Sequence, residues 1–202
     1  MDDQNQKTID AYNAHVQEYI DGTPQLLDGD VKAWINKALT FVKKGGTVLE
    51  IGSAFGRDAE YMETMGYKVH RTDATQSFVD LLKRQGHEAQ LLNAITDDFG
   101  GLYAMVFANA VLLHFTPDET SKVLAKAHSS LDTEGVLAFT VKQGDGEEWT
   151  EAKLNAPRYF CYWQADDLRK IVSDTGFEIE DLSQGTTKNA QWLQVIAKKV
   201  VK

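Results

Sequence analysis

Residues Thr47 to Met62 read TVLEIGSAFGRDAEYM. Thr47, Val48, Leu49, Glu50 and Ile51 read as a short buried strand, Gly52-Ser53-Ala54-Phe55-Gly56 breaks the pattern, and a helical run opens at Arg57. In an open parallel sheet ligands bind outside the carboxyl ends of the strands. A glycine turn lets backbone approach the ligand, and the helix N-terminus presents free N–H groups. The turn therefore reads as a nucleotide-type site.

Spacing separates the two ligand classes that use such a turn. A dinucleotide fingerprint requires G-x-G-x-x-G, and here the second and third glycines fall on Ala54 and Arg57. An acidic residue followed by glycines at every second position is met at Glu50, Gly52 and Gly56 and missed at Ala54. That stretch resembles motif I of the class I S-adenosylmethionine-dependent methyltransferases. The chemistry agrees, because that cofactor carries an ammonium and a sulfonium beside one carboxylate, whereas Glu50 would repel a pyrophosphate.

Outward from this turn, the chain alternates. Strand-like segments are Tyr67–Arg71, Glu88–Leu92, Ala104–Ala108, Val136–Val141, Phe177–Leu182 and Gln191–Ala197. Helical stripes lie between them: Phe78, Leu81 and Leu82 opened by Thr75, then Val123, Leu124, Ala127 and Leu131, then Leu168, Ile171 and Val172. Thr116-Pro117-Asp118-Glu119 is a capping box with proline at the first helical position. Upstream, Ile9, Tyr12, Val16, Tyr19 and Ile20 predict one helix ended by Gly22-Thr23-Pro24, and a second runs from Asp30 to Gly45-Gly46.

This alternation predicts an α/β, Rossmann-like, doubly wound and mostly parallel seven-stranded sheet in a single domain. The last two strands are joined only by Ser183–Ala190, too short for a crossover, so they form an antiparallel hairpin. A parallel sheet closed by such a hairpin is again similar to the class I methyltransferases, from about Gly45 to the C-terminus. The resulting division is residues 1–44 as N-terminal helices covering the active site and residues 45–202 as the cofactor-binding domain, in one compact unit.

A chain of 202 residues, 43% apolar and 25% charged, has room for one domain with a proper core. Its net charge of −9 opposes binding to a phosphate backbone. The lone Cys161 forms no internal disulfide, the N-terminus lacks the flank and apolar run of a signal peptide, and no apolar run reaches membrane-spanning length. The expectation is a cytoplasmic protein without nucleic-acid or membrane partners. Oligomeric state is unreadable.

The resemblance implies cofactor contacts at Glu50, Gly52, Ala54, Gly56, Arg57, Asp73, Ala74, Asn93, Ala94 and Asn109. Asp73, twenty-one positions after Gly52, would accept from both ribose hydroxyls, or serve as a helix N-terminal acid ahead of Thr75. Asn93, where the family usually holds an aspartate, keeps the acceptor oxygen for an adenine amino group, with the Ala94 N–H donating to the ring; as a turn residue it would do neither. Arg57 would grip the methionine carboxylate, as in methyltransferases with a similar G-R-D run, or pair with Asp58 or Glu60.

Methyl transfer to an acceptor needs positioning, and a base only for a protonated acceptor. His114 is the candidate base. Tyr12, Tyr19, Lys142, Trp149, Arg158 and Tyr159 are the candidate substrate residues, with Arg158 reading an anionic group. The 142–149 loop is either a flexible lid or a solvated loop, and the aromatic run Asn155–Trp163 either a wall for the acceptor or core filler. Cys161 reads as a buried apolar residue, and no metal-ligand spacing occurs. The implied activity is S-adenosylmethionine-dependent methylation of a small molecule. An NAD(P)-dependent oxidoreductase and a non-catalytic S-adenosylmethionine-binding module are the alternatives.

Overall fold

The computed structural model describes residues 3–187 and 190–201. A seven-stranded sheet forms its centre, built from β1 (Thr47–Ile51), β2 (Lys68–Asp73), β3 (Ala89–Leu91), β4 (Tyr103–Ala108), β5 (Leu131–Lys142), β8 (Phe177–Thr187) and β9 (Ala190–Lys199). Its order is β3-β2-β1-β4-β5-β9-β8, parallel from β3 to β5 and antiparallel at β9 and β8. The mostly parallel sheet with its closing hairpin is the fold read from the sequence.

Strands buried on both faces need an apolar side chain on each, and successive residues supply one face apiece. Leu49 and Ile51 pack with Val106, Leu137 and Phe139 on one side, against α6 (Pro117–Ser130) and α7 (Ala165–Asp174). Val48 packs with Met105, Phe107 and Ala138 on the other, against Trp34, Ile35 and Leu39 of α3 (Gly29–Thr40) and Met62 of α4 (Arg57–Thr64). The order reverses between β1 and β4, which run out in opposite directions from the centre. Connections leaving their carboxyl ends diverge there and leave a crevice.

The capping box forms as expected. Thr116 Oγ1 accepts from the Glu119 N–H at 3.2 Å, and Glu119 Oε2 accepts from the Thr116 N–H at 2.8 Å. Three expectations need correction. The stripe Ile9–Ile20 is two helices, α1 (Asp3–Ala14) and α2 (Val16–Asp21), because His15 leaves helical geometry at φ −126°, ψ 39°. The Ser183–Ala190 connection is largely strand, and residues 188 and 189 within it lie outside the described residues.

The third correction concerns residues 147–161. Glu147–Thr150 (β6) and Arg158–Cys161 (β7) pair antiparallel as a separate two-stranded sheet, where a loop and a connecting segment were expected. All four β7 residues are buried, so this strand lacks the alternation that would reveal it. α1 lies over β7 and reaches α5 (Gln76–Arg84): Thr8 Oγ1 accepts from the Tyr159 N–H at 3.2 Å, and Asn13 Oδ1 accepts from the Ser77 N–H at 3.0 Å. The N-terminal helix thus spans the carboxyl edge of the sheet.

Candidate active site

Backbone geometry explains the glycines of the turn. Gly52 sits at φ 74°, and a Cβ there would stand 2.4 Å from Val111 Cγ2. Only a residue without a side chain satisfies both conditions. Ala54 also adopts a left-handed conformation, φ 48°, which costs a non-glycine residue roughly 1–2 kcal/mol. Its N–H donates to Asp73 Oδ2 at 2.9 Å, a bond that holds the strained peptide in place.

Asp73 closes β2 and is buried. Its other oxygen accepts from the Thr75 N–H at 2.8 Å, so the carboxylate ties the turn after β1 to the start of α5. Burial raises its pKa, against the two backbone N–H donors that favour the ionised form. Both sequence readings of this acid meet here: it receives the N-terminal amide of a helix and it also lines the crevice.

The crevice encloses about 680 Å³ of atom-free space, part of it open to solvent. Its floor comes from the carboxyl ends of four adjacent strands: Ile51, Gly52 and Ala54 after β1, Asp73 and Ala74 after β2, Asn93 and Ala94 after β3, and Asn109 and Ala110 after β4. Asn93 Oδ1 accepts from the Ile95 N–H at 3.0 Å, which is turn chemistry, while its amide donates to Asn5 Oδ1 of α1 at 2.7 Å. Asn109 donates to Asp58 Oδ2 at 2.7 Å and accepts from Thr140 Oγ1 at 2.9 Å. Ala110, at φ 59°, is the second left-handed alanine on this floor.

Beneath the turn the charge balance is acidic. Glu50 is 2% exposed, its Oε2 has no hydrogen-bond partner, and the neighbouring Ser53 hydroxyl has none either. Burial first, then the charge of Asp58, push its pKa up to about 8, while the charge of Arg71 pulls the other way. A buried carboxyl in this state favours a nearby cation. Gly56, the N-cap of α4, is left-handed at φ 88°, and a Cβ there would stand 2.9 Å from Leu82 Cδ2.

Arg57 is engaged by protein atoms and is not among the crevice-lining residues. Its Nε donates to Asp58 Oδ1 at 2.8 Å and its Nη1 to the Pro24 carbonyl at 3.0 Å, outside the crevice lining. The expected pair with Asp58 is present, with the loop after α2 as second partner. An arginine in the first helical turn faces the positive end of the macrodipole, and Asp58 offsets that.

The opposite wall belongs to α1, α2 and the 3-10 turn Leu112–His114. Tyr12 and Tyr19 rings meet edge-on with centroids 5.5 Å apart, an approach that the break at His15 permits. His114 is buried, with Nδ1 2.7 Å from the Tyr159 carbonyl and Nε2 2.9 Å from the Tyr12 hydroxyl. A carbonyl only accepts, so Nδ1 carries the hydrogen and Nε2 presents a lone pair. Arg158 Nη1 donates to the Tyr12 hydroxyl at 3.1 Å, which directs the hydroxyl's own hydrogen to His114. Burial, and then the charges of Arg158 and Lys142, take the His114 pKa down to about 3, against the Tyr159 carbonyl.

Of the remaining candidate substrate residues, Lys142 ends β5 with its ammonium 4.1 Å from the Phe160 ring centroid. Arg158 is buried behind Tyr12. Tyr159 contributes its carbonyl to His114, while its ring meets the half-exposed Trp149 edge-on at 5.9 Å; neither ring lines the crevice. Cys161 is buried, and burial lifts its thiol to about 11. Sequence reasoning missed Asn5, Thr8 and Ile9 on α1, together with Phe78, Val111 and Phe115. The spacing of Asn5, Thr8, Ile9 and Tyr12 along one helical face is the signal that could have found the first three.

Among the described residues no helix is long and apolar enough to cross a membrane, and no group of three or more His, Cys, Asp or Glu side chains gathers as for a metal ion. No curated protein sequence matches the chain. Its fold is similar to that of a Burkholderia thailandensis 1,6-didemethyltoxoflavin-N1-methyltransferase solved with 1,6-didemethyltoxoflavin and S-adenosylhomocysteine, at TM-score 0.75 and 18% identity over 98% of this chain and 87% of that one. The Synechocystis PCC 6803 magnesium protoporphyrin IX methyltransferase, solved with S-adenosylmethionine, superposes at TM-score 0.72 and 17% identity over 98% and 97% of the two chains. The CcbJ methyltransferase of Streptomyces caelestis does so at 0.72 and 16% over 95% and 98%. A family model described as a methyltransferase domain matches residues 16–182, and with motif I and the strand order in place, the chain belongs to the methyltransferase domain family.

Proposed function

We propose that this protein is an S-adenosylmethionine-dependent methyltransferase acting on a small molecule in the cytoplasm, with residues 1–44 covering an active site built on residues 45–202. The observation that carries this reading is the pairing of a glycine-turn crevice with a buried Glu50 on the strand that leads into the turn, its Oε2 without a hydrogen-bond partner. A methionine-derived cation suits that carboxyl, and a pyrophosphate does not. Ala54 and Arg57, standing where a dinucleotide turn needs glycine, weigh against the oxidoreductase alternative.

When bound, the cofactor supplies a methyl group on a positively charged sulfur. The chain's own residues do the rest. Asp73 offers its remaining lone pairs to ribose hydroxyls, and Ala94 and Asn109 bring backbone and amide groups to the floor. α1 and the two tyrosines exclude water from the acceptor side. His114 Nε2, reached through the Tyr12 hydroxyl, is where a proton leaving the acceptor would be held. Two of the similar structures are named for small-molecule acceptors, 1,6-didemethyltoxoflavin and magnesium protoporphyrin IX, in keeping with a small-molecule acceptor here.

Two measurements test the reading. S-adenosylhomocysteine at about 100 times its Kd should raise the unfolding free energy by roughly 2.7 kcal/mol, and NAD(P) should leave it unchanged. Label from methyl-labelled cofactor should pass to the low-molecular-weight fraction of a cell extract. Transfer only to macromolecules, or stabilisation by NAD(P) alone, would contradict it.

A further inference from the structure

Behind the Tyr12 and Tyr19 wall of the crevice stand three cations, Arg158, Lys142 and Lys153, none of which lines the crevice itself; among the described residues no carboxylate forms an ion pair with them, and Lys153 Nζ donates to the Thr23 hydroxyl at 2.6 Å. Arg158 is 4% exposed; its Nη1 donates to the Tyr12 hydroxyl, its Nη2 to the Ala152 carbonyl, and its Nε has no partner. Among the described residues none of its hydrogen bonds goes to a carboxylate. A buried charge is normally paired or ligated, and unpaired guanidinium in a protein interior is unfavourable.

Two lysines share its wall of rings. Lys142 Nζ lies 4.1 Å and the Arg158 guanidinium 5.2 Å from the Phe160 centroid, so both address one ring. Arg158 also stands 5.4 Å from the Tyr12 centroid, and Lys153 Nζ lies 4.0 Å from that of Tyr19, the ring packed edge-on against Tyr12. Each lysine feels Arg158 and is shifted toward its neutral form, first by burial and then by that charge, Lys153 to about 8. Cation–π contacts hold an ammonium in place but bring no negative charge. Glu148 acts on Lys142 without an ion pair, and its carboxylate is taken by the Tyr162 hydroxyl. Lys153 and Asn155 are held at φ 76° and 49°, two of the four left-handed non-glycine residues among the described ones; the other two are Ala54 and Ala110 on the crevice floor. Backbone strain concentrates where a ligand repays it.

Resting on the methyltransferase reading, we propose that the methyl acceptor carries an oxyanion, a carboxylate or a phosphate, seated against Lys142 and Lys153 with Arg158 behind them. The anion supplies the charge this wall lacks. Planar fork donors on Arg158 suit either oxyanion.

The test uses the protein saturated with S-adenosylhomocysteine, titrated at constant ionic strength with benzoate, phenyl phosphate and their neutral counterpart benzamide. One or both anions should bind at millimolar concentration, benzamide should not, and whichever anion binds more tightly names the acceptor's group. A Lys142→Met/Lys153→Met variant, whose substitutions lie outside the buried core, should bind that anion about tenfold or more weakly, ~1.4 kcal/mol, with S-adenosylhomocysteine affinity within about twofold of the parent. Equal binding of benzamide and benzoate, no anion binding by protein that binds S-adenosylhomocysteine, or undiminished anion binding by the variant would overturn the proposal. Failure of the parent to bind S-adenosylhomocysteine would instead strike the cofactor reading, so the two failures are distinguishable.

Discussion

The Tyr12 hydroxyl lies 2.9 Å from His114 Nε2, joining the first helix to a turn 102 residues later. Because the Tyr159 carbonyl takes the other ring hydrogen and Arg158 donates to the tyrosine oxygen, every hydrogen in this chain has a fixed direction. The ring is held neutral with its basic nitrogen toward the crevice. Its depressed pKa means that the folded protein binds one proton fewer than the unfolded chain between about 3 and 6.5. The stability from His114 is therefore complete above 6.5 and lost as pH falls below it. Imidazole 15N spectra should show a protonated Nδ1, a bare Nε2 and no titration from neutral pH down to about pH 5. A midpoint near the ordinary histidine value would contradict the geometry.

Glu50 gives the opposite sign. Its carboxyl ionises near 4.5 when unfolded and at about 8 when folded, so its stabilising proton is fully bound below 4.5 and lost as pH rises through 8. A cationic cofactor must displace that proton, so affinity for S-adenosylmethionine should rise between about pH 5.5 and 7.5, by at most about tenfold per unit. Glu50→Gln should weaken binding and flatten both slopes. Calorimetry and urea unfolding across this range would show it, and an unchanged pH dependence in the variant would refute it.

The turn itself should tolerate one substitution and reject another. Gly52→Ala places a methyl group 2.4 Å from Val111 Cγ2 on a left-handed backbone and should cost about 2 kcal/mol or more. Ala54→Gly relieves strain at φ 48° while adding unfolded-state entropy, for a net change within about 1 kcal/mol. Urea denaturation of both variants decides.

Asp73→Asn leaves one acceptor oxygen for two N–H donors, those of Ala54 and Thr75. A stranded buried donor costs about 1–3 kcal/mol. The expected loss of stability lies in that range, with the Ala54 amide exchanging hydrogen faster than in the parent. An unchanged exchange rate would show that the bond does not hold the turn.

The fold was legible because its signals are local. The run at Thr47–Ile51 and the Thr116 capping box each depend on a few neighbouring residues, and the structure places both at the residues read. β7 was illegible because burial of all four of its residues erases the period of two. The site divided along the same line. Gly52, Asp73 and Asn109 follow strand ends and declare themselves, whereas Arg57 could be assigned only once the Pro24 carbonyl, 33 residues away, came into contact. Asn5 and Thr8 look like ordinary surface polar residues until α1 is seen lying across the crevice.

Calorimetric titration with S-adenosylhomocysteine, on the parent and on Asp73→Ala, meets the central claim most directly. The account predicts micromolar binding by the parent and an affinity lower by about a hundredfold, roughly 2.7 kcal/mol, in the variant. No binding by the parent, or equal binding by both, would contradict a cofactor held at the turn between β1 and α4 and gripped by Asp73.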